Sequence, residues 1–146
     1  MKYIPLLLSL LIPSLVQAHS QAVEEAAIEA RQNAFTEIEI QLEQTEQIID
    51  EDNTDWENLE SLSKALQKHS QTLAVSFPIG SLENSRANAD VWSKPEKFNM
   101  LMQQMDAGFQ QIYQASQEKD AILAEQGVEQ ANDTCRACHR SYRSRF

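Results

Sequence analysis

Four stretches of the chain space their apolar residues by alternating threes and fours, and this pattern leaves room for little except a bundle of helices. In the first, from about Val23 to about Ile49, the positions Ile28, Arg31, Phe35, Ile38, Leu42, Thr45 and Ile49 share one face. The second carries Trp56, Leu59, Leu62, Leu66 and Leu73. The third carries Phe98, Met102, Met105, Phe109 and Ile112. The fourth, from about Ala121 to Arg143, points Val128, Ala131, Cys135, Cys138 and Tyr142 inward. Ala, Glu, Gln and Leu dominate and no β-type alternation appears, so the chain reads as all-α.

The punctuation between these stretches agrees. Asp50-Glu51-Asp52-Asn53 is a polar turn, and Thr54…Glu57 has the spacing of a capping box. Phe77-Pro78-Ile79-Gly80 stops the second helix, and a long polar connection runs to Asp90. Pro95 sits in the first turn of the third helix, and Ser116 to Asp120 reads as a short polar join. Gly127 weakens the start of the fourth helix. Short first and last connections with one longer crossover predict an antiparallel four-helix bundle.

The N-terminal residues stand apart from this domain. Lys2 precedes an apolar run from Ile4 to Val16, and Val16-Gln17-Ala18 offers small residues for a signal peptidase. Residues 1–18 therefore read as a secretory signal peptide, with residues 19–146 as the exported domain and the periplasm as its location. The run is shorter than the roughly 20 residues that span a bilayer, so the protein is not expected to be membrane-embedded. Beyond Ala18, eleven basic residues face twenty-two acidic ones, a formal charge of −11, which argues against nucleic acid as a partner. The charge is uneven: thirteen acids lie between Glu24 and Glu60, whereas Arg136, Arg140, Arg143 and Arg145 crowd the last eleven positions. Such a basic tail suits an anionic group, either a cofactor's carboxylates or a partner's acidic patch. It also suits a helix C-terminus.

Chemistry concentrates in Cys135-Arg136-Ala137-Cys138-His139. On a helix these positions project the same way, so two thiols reach the two vinyl groups of one porphyrin while the imidazole takes the iron as proximal ligand. The expected cofactor is one haem c, covalent through Cys135 and Cys138, with His139 on the metal. A thioredoxin-like pair would open a helix after a strand, and a structural zinc site would need further ligands. The remaining histidines are His19 and His69, and His69 reads as a surface residue.

Three segments together resemble the class II c-type cytochromes, most closely cytochrome c′: Ala30-Arg31-Gln32-Asn33-Ala34-Phe35, Val91-Trp92-Ser93, and Cys135 through Arg143. The resemblance covers essentially the whole exported domain and implies specific roles. Arg31 and Gln32 match positions that contact a haem propionate, Phe35 matches the residue over the distal face of the iron, and Arg143 matches the basic residue beside the proximal histidine. Arg31 is also the one charge on its apolar face and needs a counter-ion.

By the same resemblance the iron is five-coordinate, since the first helix holds no methionine and Phe35 cannot ligate. Met102 and Met105 read as core packing. The implied function is nitric oxide binding, with carbon monoxide as a second small ligand, and electron exchange with a periplasmic redox partner. The alternative is a six-coordinate low-spin carrier of the same class. An enzyme such as a peroxidase is not expected, because distal acid–base groups are missing. The family's homodimers, formed through the first two helices, find weak support in Ile40 and Ile48.

Overall fold

The structure, a computed structural model, describes residues 13–50 and 53–144, with side chains from residue 19 onward. Helix α1 runs Pro13–Ile48, α2 Trp56–Ala74, α3 Asp90–Ser93, α4 Pro95–Glu118 and α5 Ala121–Tyr142. The four long helices form a closed ring in which α1 packs on α2, α2 on α4, α4 on α5 and α5 back on α1. This is the antiparallel four-helix bundle that the spacing predicts. Among the described residues the only β-type pairing is an isolated bridge between Ala87 and Arg143.

Helix α1 starts about ten residues before the expected Val23. Nothing between 13 and 22 interrupts it, and Ala and Gln favour the helical backbone there. The proposed signal peptide therefore lies mostly outside the described residues, which include only the backbone of 13–18. Among the described residues, no helix is long and apolar enough to cross a membrane.

Two boundaries differ from the sequence reading. The cap of α2 is Asp55, whose carboxylate accepts from the Asn58 N–H at 3.1 Å. Thr54 is buried and instead closes the preceding turn, its hydroxyl accepting from Asp50 N at 3.0 Å. The join after the third long helix is also shorter than Ser116 to Asp120. Helix α4 continues to Glu118 because Ser116 is buried, with its hydroxyl donating to Tyr113 O at 2.6 Å. Lys119 then turns the chain in a left-handed conformation, φ 56°, and Asp120 caps α5 by accepting from Leu123 N.

The core comprises Ile38 and Leu42 of α1, Leu59, Leu66 and Leu73 of α2, Met105, Phe109 and Ile112 of α4, and Ala124, Val128 and Ala131 of α5. On α1 the buried stripe passes through Ala34 rather than Phe35. Residues 75–89 cross one end of the bundle and are pegged there. Trp92 Nε1 donates to the Phe77 and Pro78 carbonyls, both at 3.2 Å. Asn88 N donates to Tyr142 O at 3.0 Å, and Ser144 N donates to Arg86 O at 2.8 Å.

Helices α4 and α5 approach closely through a pair of glycines. A Cβ added to Gly127 would stand 2.8 Å from Gly108 O, and one added to Gly108 would stand 2.8 Å from Gly127 O. Gly127 is thus a packing residue as well as a weak helix former. Gly127→Ala is expected to destabilise the fold by about 1–3 kcal/mol through overpacking, despite alanine's better helix propensity. Thermal or urea denaturation of the haem-loaded protein checks this, and equal or greater stability would contradict it.

Candidate haem attachment site

Helix α5 persists through Tyr142, so Cys135, Cys138 and His139 keep the i, i+3, i+4 relation that places them on one face. Both thiols are free and half-buried, and His139 is exposed at the open end of the bundle. Burial dominates their protonation. It raises the Cys135 thiol, aided by the Glu39 charge, and it pushes the Cys138 thiol up to about 11. At His139, partial burial and then the Arg143 charge lower the imidazole below its ordinary value, and Glu39 opposes them. The imidazole is thus held in its neutral, metal-ligating form.

The resemblance placed Arg31 on a propionate, and the structure gives it a cage of neutral acceptors. Arg31 as a whole is 3% exposed. Nη1 donates to Ser76 O at 2.9 Å and Ser81 Oγ at 2.7 Å, and Nη2 donates to Ser81 O at 2.5 Å. The Phe77 ring lies 4.8 Å from its central carbon. Among the described residues no carboxylate pairs with this cation, and burial lowers its pKa. A buried cation held only by dipoles fits an anionic group such as a propionate, and its Nε–H is not engaged by any of these bonds.

Phe35 is 39% exposed and lies at the edge of the core. It begins a row of edge-to-face aromatic contacts: Phe35 to Phe77 at 6.4 Å, Phe77 to Phe98 at 4.9 Å, and Phe98 to Tyr142 at 5.3 Å. Cys138 and Ala137 pack against the far end of this row. One aromatic wall therefore runs from α1 through the crossing segment and α4 to the attachment residues on α5. Of the adjacent long helices, α1 and α5 make the slightest contact. A flat apolar ring tethered at Cys135 and Cys138 suits the seam between them.

Arg143 lies beside His139, as its effect on the imidazole requires, and its backbone is fixed by the bridge to Ala87. Gln32 is not drawn into the cage. It is exposed, and its carbonyl accepts from Thr36. Met105 is in the core, and Met102 packs between the core and the aromatic wall. His69 is partly covered and lies 3.3 Å from the Gln41 amide nitrogen across the α1–α2 contact.

Two site residues escaped the sequence reading. Phe77 reads there only as part of a helix stop, yet it touches both Arg31 and Phe35. Glu39 lies on the solvent side of α1, and its charge reaches both Cys135 and His139. Its i+4 spacing from Phe35 and i+8 spacing from Arg31 was the available signal.

A helical bundle whose last helix ends in two thiols and an imidazole, opposite a buried cation and an aromatic wall, defines a class II c-type cytochrome. Matching the family model described as Cytochrome C' over residues 26–143, the chain belongs to the cytochrome c′ family, a haem c family. Solved structures share the fold. Cytochrome c′ from Rubrivivax gelatinosus superposes with a TM-score of 0.73 at 21% identity, covering 81% of this chain and 94% of that one. Cytochrome c′ from Shewanella frigidimarina gives 0.74 at 20% identity, covering 83% and 96%. The nitric oxide complex of a mutant of cytochrome c′ from Alcaligenes xylosoxidans gives 0.76 at 20% identity, covering 84% and 97%. No curated protein matches the chain.

Two outcomes follow from this geometry. In chain expressed without haem, iodoacetamide should alkylate Cys138 slowly at neutral pH. The rate should rise about tenfold per pH unit until about pH 11, because only the thiolate reacts and burial delays its appearance. A plateau near pH 8 would contradict the burial. Arg31→Met should cost about 1–3 kcal/mol by stranding the Ser76 and Ser81 acceptors. Arg31→Lys should recover only part of this, because one ammonium cannot reproduce the guanidinium fork. Denaturation midpoints check both.

Proposed function

We propose that this chain is a periplasmic protein carrying one haem c through Cys135 and Cys138. On this reading His139 would be the single protein ligand to the iron, and the haem would bind nitric oxide and exchange single electrons with a redox partner. The observation that carries the reading is the pairing of the α5 triad with an α1 face made of Arg31, Phe35 and Glu39. Helix α1 contains no methionine between Pro13 and Ile48, and the solved relatives include a nitric oxide complex.

The haem supplies an iron that changes between ferric and ferrous states and accepts a small ligand. The protein's own residues set the conditions. Cys135 and Cys138 would hold the ring beside the end of the aromatic wall. His139 would ligate the iron as a neutral imidazole, with burial and Arg143 disfavouring its protonation. Arg31, held in place by Ser76 and Ser81, offers its remaining donors to a propionate. Phe35 presents bulk without a hydrogen-bond donor, so the distal side favours small neutral diatomics and restricts their room. Peroxide chemistry is not part of the reading, because α1 offers no histidine or tyrosine beside Phe35 and Arg31 is already engaged.

The six-coordinate alternative needs a methionine on the iron, and Met102 and Met105 are occupied in packing. Homodimerisation through α1 and α2 is supported by Ile40, an apolar side chain 44% exposed on α1. Ile48 is half-buried and adds less.

Protein produced in cells able to attach haem should have the mass of the exported chain plus one haem and a high-spin ferric spectrum. A low-spin methionine–histidine spectrum would select the alternative, and the bare polypeptide mass would end the proposal. Phe35→Ala should raise carbon monoxide affinity at least about tenfold, equivalent to about 1.4 kcal/mol. An unchanged affinity would remove Phe35 as the restriction.

A further inference from the structure

Three segments bring their cations to one place. The bonds Ser144 N to Arg86 O at 2.8 Å, Asn88 Nδ2 to Ser141 O at 2.9 Å and Tyr142 OH to Lys94 O at 3.3 Å lock the crossing segment and the start of α4 against the end of α5. Arg86, Lys94, Lys97, Arg136, Arg140 and Arg143 are all exposed there. Lys94 is paired with Asp90 at 2.9 Å, and Arg136 is paired with Asp133. Arg86, Lys97, Arg140 and Arg143 have no ion pair among the described residues. The local acids are Glu39, Glu83, Asp90, Glu96 and Asp133, so the face holds six cations against five anions. The rest of the described chain holds four cations, one of them the buried Arg31, against fifteen anions.

Helix stability does not account for this face. Cations at the end of α5 are favoured by the helix dipole, which explains Arg140. Lys94 and Lys97 stand at the opposite kind of end, the first turn of α4, where the dipole disfavours positive charge. Arg86 is in no helix. A fold that needed only solubility already has it from the large negative excess elsewhere. Like charges carried to one end of the fold repel, and an anionic surface meeting them would relieve that repulsion. Two of them lie close to the attachment residues: the Lys97 charge acts on Cys138 and the Arg143 charge on His139.

We infer that the basic face of Arg86, Lys97, Arg140 and Arg143, at the open end of the haem site, docks an acidic patch on the protein that exchanges electrons with this cytochrome. The inference rests on the haem reading above and adds the chemistry of the partner. A protein patch suits the face better than an anionic membrane. A compact patch meets only the basic face, whereas a charged plane also meets the acidic helices beside it.

The test uses haem-loaded protein, with mass and spectrum read first on the same preparation. Ferrous protein is oxidised by ferricyanide in stopped flow at about 10 and about 200 mM salt. If the basic face governs approach, the rate with this anion falls several-fold as salt rises, although the whole protein is strongly negative. In Lys97→Glu/Arg140→Glu the fall disappears or reverses, and Lys68→Glu, remote from the face, keeps it. Poly-L-glutamate, standing for an acidic protein surface, should bind the parent protein at low salt by calorimetry and slow ferricyanide oxidation. It should not bind the double variant. A ferricyanide rate that rises with salt, or absence of poly-L-glutamate binding, overturns the inference while leaving the haem reading intact. Preferential binding to phosphatidylglycerol vesicles over poly-L-glutamate overturns it in favour of a membrane. A preparation without haem overturns both readings.

Discussion

The site end of this molecule is organised around one buried guanidinium. Arg31 projects from α1 into the segment that crosses the bundle and binds it at Ser76 and Ser81 while lying against Phe77. That grip fixes where Phe77 stands, and Phe77 connects Phe35 on α1 with Phe98 on α4. The wall facing the attachment residues therefore depends on a charge that folding has removed from water and surrounded only with dipoles. Such an arrangement costs stability in isolation. It makes sense where a second, anionic partner completes the charge balance.

Much of this was legible in the sequence because helices advertise themselves by spacing. The stripes on α2 and α4 were read nearly as they pack, and the attachment motif needed only its three residues and a helix to carry them. Misreadings came where neighbours, not periodicity, decide. Phe35 fits the heptad as well as Ala34 does, but Ala34 takes the buried position and the Phe35 ring stands at the edge. Thr54 and Asp55 both have capping chemistry, and the preceding turn claimed the hydroxyl. Gly127 looked like a weakness because the oxygen of Gly108, nineteen positions earlier, is invisible in a local window.

The candidate site shows the same division. Cys135, Cys138 and His139 could be named from adjacency alone. Phe77 and Glu39 could not, since one lies in an irregular segment and the other on a face that the hydrophobic pattern assigns to solvent. Gln32 is the converse: it adjoins Arg31 in sequence, yet the helix rotates it by about 100° away from the cage, and its side chain stays in solvent.

The paired glycines have a mechanical consequence. Where Gly108 and Gly127 meet, the two backbones touch with no side chain between them, so α4 and α5 are closely joined at that point. The seam between α1 and α5 has no comparable weld. A flat ring seated there would bear on the more compliant side. Strain arising at that seam would be taken up by α1 and its partner α2 sooner than by the joined pair that carries the tether.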